Sequence, residues 1–313
     1  MRLALGPCLA AALAILPSAT FAGDAASCKR VRFSDVGWTD ITATTAVASA
    51  LLTGLGYEPK TDVLSVPVTY ASLQNKQVDV FLGNWMPTME ADIKPYIDDK
   101  SVEVVGVNLK GAKYTLAVPT YLYEAGLKSF KDIAKFKDKL GAKIYGIEAG
   151  NDGNRLILDM IKDNKFDLKE FELVESSEQG MLAQVQRASA KSEPVVFLGW
   201  EPHPMNTKYK MSYLSDGDDV FGPDFGGATV STNMRAGLAK DCPNVGALLK
   251  NLTFSLGMEN EVMGSILFDS MEGDKAAAAW LKKNPAQIDT WLAGVTTFDG
   301  KPGAEAVKKS LGM

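Results

Sequence analysis

Three tryptophans occupy the same kind of place in this chain. "VRFSDVGWTD" at 31–40, "VDVFLGNWMP" at 78–87 and "EPVVFLGWEP" at 193–202 each run through strand-forming apolar residues to a glycine or Gly-Asn and then an indole. One such tryptophan is most simply a large core residue. Trp280 and Trp291, in "AAAAWLKKNPAQIDTWLAG", fit that description. The repeated placement of Trp38, Trp85 and Trp200 points instead to a site that needs several aromatic faces. A quaternary ammonium is such a case: it has no N–H to donate, and its charge, spread over methyl groups, is attracted to π faces. At about 2 kcal/mol per desolvated contact, three or four rings supply roughly 6–8 kcal/mol before ordering costs, against about 8 kcal/mol for micromolar binding. A sugar-stacking platform is the other use of surface indoles, but the Asn, Asp, Glu and Arg fan it needs is sparse here.

Polar and aromatic neighbours refine the set. Tyr114, in "GAKYTLAVP", offers a fourth ring, with a structural strand tyrosine as the alternative. Tyr121 and Tyr123 are weaker candidates because they follow Pro119 into a polar loop. Asp40 lies at a helix start, where a carboxylate caps well; if Thr39 caps instead, Asp40 is free to face a ligand. Asn151, in "EAGNDGNRLILDMI", follows a strand at a helix N-terminal turn, where turn chemistry alone also favours Asn-Asp-Gly. No P-loop lysine follows this turn.

The elements that must position these residues alternate in type. "KRVRFSDVG" reads as a strand, "DITATTAVASALLTGLG" as a helix from Thr39 or Asp40 to Gly54 or Gly56, "VLSVPV" as a strand, "TYASLQNKQ" as a helix and "VDVFLG" as a strand. This βαβαβ rhythm predicts parallel strands in an α/β sheet. It restarts with "KYTLAVP" and continues to "EPVVFLGW"; "YKMSYLSD" and "FGGATVSTN" follow as strands, and 244–313 as helices. The expected architecture is two α/β lobes, 23–112 plus 215–313 and 113–214, with a cleft between them and a hinge beneath. In open parallel sheets ligands bind beyond the carboxyl ends of the strands. Trp38 and Trp85 from one lobe and Trp200 from the other then converge.

Residues 1–22, with Arg2, an apolar run and a small-residue end at Ala22, have the order of a secretory signal peptide. Its removal takes away Cys8 and leaves Cys28 and Cys242, which in an oxidising compartment are expected to pair. "AASC" at 25–28 also reads as a lipoprotein box with Cys28 acylated, against which stand Ala25 and the distance from the apolar core. The net charge of −5, without a basic block, argues against a nucleic-acid partner. Metal-ligand spacing of His and Cys is absent, and no cofactor is expected.

Taken together, "GWTDITATTAVASALLTGLGY", "QVDVFLGNWMPT", "YTLAVP", "VVFLGWEPHPMN" and "WLKKNPAQIDTWLAG" resemble the periplasmic substrate-binding proteins of ABC importers for glycine betaine and choline, across essentially the whole mature chain. The resemblance is strongest to the choline-binding branch. It implies a two-lobed type II binding-protein fold that closes by hinge motion. It also implies a ligand set of Trp38, Trp85, Trp200, Tyr114, Asp40 and Asn151, and a permease in the inner membrane as partner. The expected protein is a periplasmic monomer that binds choline, with acetylcholine as a further ligand to test and betaine held more weakly. An acceptor at Asp40 favours choline, which ends in a hydroxyl, over betaine, which ends in a carboxylate. The alternative from another class is an enzyme acting on choline esters. It has only His203 to call on, between prolines, and no Gly-x-Ser-x-Gly elbow. A structural or adhesive exported protein would leave the three indoles unexplained.

Overall fold

The computed structural model describes residues 23–313. The expected signal peptide and Cys8 lie outside the described residues. The strands are β1 (Arg30–Asp35), β2 (Glu58–Val63), β3 (Val80–Met86), β4 (Val102–Pro119), β5 (Lys143–Tyr145), β6 (Glu172–Val174), β7 (Phe197–Glu201), β8 (Met211–Tyr213) and β9 (Gly227–Arg235). They form one sheet in the order β2-β1-β3-β9-β4-β7-β5-β6, with β8 paired to β4. The fold is α/β, as expected, and of the type II binding-protein class.

The expectation of parallel strands holds only in part. β2, β1 and β3 run parallel, as do β6, β5 and β7, but β9 and β4 join the two groups through antiparallel pairing. β4 belongs to both groups. Its residues from Val102 to Lys113 pair with β9, and those from Lys113 to Ala117 pair with β7. The stretch before "KYTLAVP" therefore is strand as well. Its pairing with β9 shifts register between Val104 and Gly106, between Val107 and Leu109 and between Lys110 and Ala112. Each irregularity inserts a residue and resets the alternation of faces, so the period-two signal is lost from the sequence.

"VLSVPV" is a second correction: it is not a strand. Strand β2 ends at Val63, Ser65 precedes the helix α2 (Val66–Gln74), and Pro67 sits in its first turn. Proline is pre-organised for that position because its missing N–H has no helical partner there. β2 itself, "EPKTDV", is a largely exposed edge, where Pro59 and Lys60 discourage further pairing.

Helix α1 (Thr39–Gly54) follows β1 directly and packs against the helices Leu256–Leu267 and Gly273–Lys283 from the C-terminal third. That return is tied covalently, since Cys28, just before β1, is bonded to Cys242. The disulfide occupies the Cys28 sulfur, which excludes its acylation in this structure. Trp291 is the buried core residue expected, whereas Trp280 is half-buried and packs on it at 6.0 Å. Among the described residues no helix is long and apolar enough to cross a membrane.

Candidate functional site

β1, β3 and β7 deliver their indoles to one place. Trp38 follows β1, whereas Trp85 and Trp200 lie within the last two residues of β3 and β7 rather than beyond them. Both of those strands end at a proline reached through a cis peptide, Met86–Pro87 and Glu201–Pro202. Tyr114 sits on β4 directly opposite Trp200, where the strand changes partner. Trp38, Trp85, Tyr114, Trp200 and Asp40 line a single cavity with about 250 Å³ of empty space, and Ile147 and Asp152 complete the wall.

The rings meet at tilted and edge-on angles rather than stacked face to face. Tyr114 is 6.0 Å from Trp85 and 6.3 Å from Trp200 between centroids, the latter edge-on. Phe221 stands edge-on behind Tyr114 at 5.9 Å. His203 packs against Trp200 at 4.9 Å, accepts the Met205 N–H at Nδ1 and lies 3.2 Å from Glu178 through Nε2. It ties the loop after Trp200 to the start of the Glu178–Lys191 helix.

Asn151 is placed differently from the other candidates. It is not among the residues lining the cavity; its Oδ1 caps the Asp152–Lys162 helix by accepting the Asn154 N–H and also accepts the Tyr114 hydroxyl at 2.9 Å. Asn151 thereby orients the fourth ring. Gly153 is required at the next turn, because a Cβ there would stand 2.1 Å from the Tyr114 Oη.

The polar atoms of the site are carboxylates. Asp40 is buried in the first turn of α1; its Oδ2 accepts the Trp85 indole N–H at 3.2 Å and its Oδ1 has no partner. Burial first, and the nearby Glu178 charge second, push its carboxyl up to about 8. Neither Thr39 nor Asp40 caps α1: the N-cap residue is Trp38, without a side-chain cap. Asp152 is equally buried, its Oδ2 is unpartnered, and burial raises it to about 6. Glu148 accepts the Trp38 indole N–H at 2.8 Å and is raised to about 7, chiefly by burial. Glu259, on the Leu256–Leu267 helix, is raised well above the ordinary carboxylate range by burial and by the Asp40 charge.

Asp152, Glu148, Ile147 and Glu259 escaped notice in the sequence. Asp152 had a usable signal, since it adjoins Asn151 in the same turn; the others sit in a loop or a helix face with no motif around them. A ring-walled space with buried, unpartnered carboxyl oxygens on its wall has the electrostatic character of a receptor for a small organic cation.

Residues 29–283 match the substrate-binding domain of ABC-type glycine betaine transport systems. An ABC-transporter choline-binding protein solved in complex with choline is 67% identical, with a TM-score of 0.90 over 91% of this chain and 99% of that one. An unliganded, semi-closed structure described in the same terms is also 67% identical, with a TM-score of 0.85 over 92% of this chain and 100% of that one. The glycine betaine/carnitine transport binding protein of Listeria monocytogenes is 31% identical over 163 residues, which are 52% of this chain and 53% of that protein. These relatives bind and transport rather than catalyse. The ring-walled cavity thus sits in a transport protein, and the chain belongs to the family of substrate-binding domains of ABC-type glycine betaine transport systems.

Proposed function

We propose that this protein binds choline between its lobes and delivers it to the permease of an ABC importer. The observation that carries this reading is the pairing, in one cavity, of four aromatic faces with two carboxylates that each keep an unpartnered oxygen. The faces suit a trimethylammonium group, and Asp40 Oδ1 or Asp152 Oδ2 suits the hydroxyl at the other end as an acceptor. An anionic carboxylate in the same place would meet two carboxyl groups, which repel it wherever they are ionised. The 67% identity to a protein solved with choline supports the same ligand.

The lobes are proposed as 23–112 plus 215–313 and 113–214. The switch of β4 from β9 to β7 at Lys113 supports that boundary, because it is where one group of parallel strands gives way to the other. Trp38, Asp40 and Trp85 come from the first lobe, Tyr114, Asp152 and Trp200 from the second. Ligand bridging the two selects the closed arrangement, and exclusion of water strengthens the cation–π contacts. Asn151 serves through Tyr114.

The protein is extracytoplasmic, as its family is. We place it in the periplasm, with residues 1–22 as the leader; the Cys28–Cys242 disulfide supports an oxidising compartment. Calorimetric titration with choline, acetylcholine and glycine betaine tests the assignment. Tight binding of choline with weaker betaine is expected, and betaine binding that equals or exceeds choline would overturn it.

A further inference from the structure

Glu178 is a buried carboxylate outside the cavity lining, and it touches both sides of the cleft. It is the first residue of the Glu178–Lys191 helix, which connects β6 to β7. Its Oε2 accepts the backbone N–H of Thr39 at 2.8 Å, and its Oε1 accepts the Thr39 hydroxyl at 2.5 Å. Oε1 also lies 3.2 Å from His203 Nε2. Thr39 begins α1, next to Trp38 and Asp40, whereas His203 packs edge-on against Trp200.

The bonding satisfies a need in each helix. α1 is a sixteen-residue helix with no side-chain cap of its own, so its first N–H groups look for an acceptor. The Glu178–Lys191 helix is capped by Ser177 and gains from an acidic residue in its first turn. One carboxylate thus lies at the positive ends of two helices that belong to opposite lobes. Other contacts cross between the lobes, among them Trp38 to Glu148, Arg155 to Asp92 and the Thr88 carbonyl, and Lys165 to Asp219. Among the described residues, Glu178 is the side chain in polar contact both with the start of α1, beside Trp38 and Asp40, and with His203, which packs on Trp200.

We infer that Glu178 is the positioning residue of the closed state: it caps α1 from across the cleft and, through His203, fixes Trp200 against the same ligand that Trp38 and Asp40 hold. The inference rests on the proposed reading of a cleft that closes around a cation. Opening the cleft takes the acceptor from Thr39, so the bond contributes to the lifetime of the closed complex rather than to encounter.

The experiment compares the full chain with Glu178→Gln, which keeps an amide oxygen acceptor, Glu178→Ala, which keeps none, and Thr39→Val, which removes only the hydroxyl donor. Stopped-flow tryptophan fluorescence with choline gives association and dissociation rates, and solution scattering gives the dimensions with and without ligand. Choline dissociation is expected to quicken about tenfold or more in Glu178→Ala, less in Glu178→Gln and Thr39→Val, with association rates unchanged. Scattering of the ligand-free protein is expected to show larger dimensions for Glu178→Ala than for the parent, a difference that can be read whichever ligand the parent prefers. Unchanged dissociation and unchanged dimensions in folded Glu178→Ala would overturn the inference; should Glu178→Ala fail to fold, dissociation unchanged in both Glu178→Gln and Thr39→Val would overturn it. A parent that ignores choline would instead count against the proposed ligand, leaving the ligand-free dimensions to decide the role of Glu178.

Discussion

The indole Nε1 of Trp85 donates to Oδ2 of Asp40 at 3.2 Å, and the other oxygen of Asp40 has no partner although it is buried. One wall residue of the cavity thus holds the carboxylate in place and leaves half of it available. Asp40→Asn keeps the shape and removes the charge. It is expected to weaken choline binding by about tenfold or more, the scale of a buried hydrogen bond to a charged group, and to narrow the preference over betaine. Calorimetry that finds both affinities unchanged would remove Asp40 from the ligand.

Burial lifts Asp40 to about 8 and Asp152 to about 6, so both hold their protons above the ordinary carboxylate range. A cation favours the ionised form, so choline binding should release protons and strengthen as pH rises from about 6 to about 8. A neutral Asp40 can donate to a carboxylate, so betaine should gain relative to choline as pH falls. For folding the sign is the reverse: a raised carboxyl penalises the ligand-free closed form above its ordinary value, and that penalty fades as pH falls. Titrations in buffers of different ionisation enthalpy measure the protons directly.

Toward the ligand the rings are expected to act as faces, while the indole N–H groups of Trp38 and Trp85 bond to carboxylates of the protein. Trp38→Ala, Trp85→Ala or Trp200→Ala should each lose about 2 kcal/mol, about 30-fold in affinity, from the missing cation–π contact alone. Tyr114→Phe keeps the face and gives up only the bond to Asn151, so it should cost far less than Tyr114→Leu. Equal losses from Phe and Leu would assign the role to the hydroxyl.

A methyl group at Gly153 would stand 2.1 Å from the Tyr114 Oη and 3.1 Å from Asn151 Oδ1. Gly153→Ala should therefore displace the Tyr114 ring and weaken choline binding. The helix it begins should tolerate alanine well. Combining it with Tyr114→Phe removes the nearer colliding atom, Oη, but leaves Cζ at 2.7 Å, so it should restore only part of the lost affinity.

The Cys28–Cys242 bond closes a loop with a sequence separation of 214 residues. Replacing both by serine should cost stability of about 2–5 kcal/mol. The bond lies before β1 and the cavity after it, and a six-residue strand at about 3.3 Å per residue separates them. The double variant should melt at a lower temperature and bind choline as the parent does; a matching loss of affinity would show that the tie shapes the site.

The sequence by itself determined the indoles and the kind of ligand they suit, because residue type and placement after strand-like runs are local properties. Helix α1 was legible from its start near Thr39 to its end at Gly54, and the Cys28–Cys242 pair from composition and compartment. The antiparallel join was not legible, since pairing between β4 and β9 is non-local and its bulges erase the alternation. Nor was the edge strand β2, whose polar residues need no buried face. Asn151 was singled out in the sequence, but only the folded chain set it behind Tyr114 and put Asp152 on the cavity wall. Glu148 and Glu178 were invisible for the same reason: their partners, Trp38 and Thr39, lie 110 and 139 residues away along the chain. A carboxylate becomes part of a site through what it faces, and that is decided by tertiary packing.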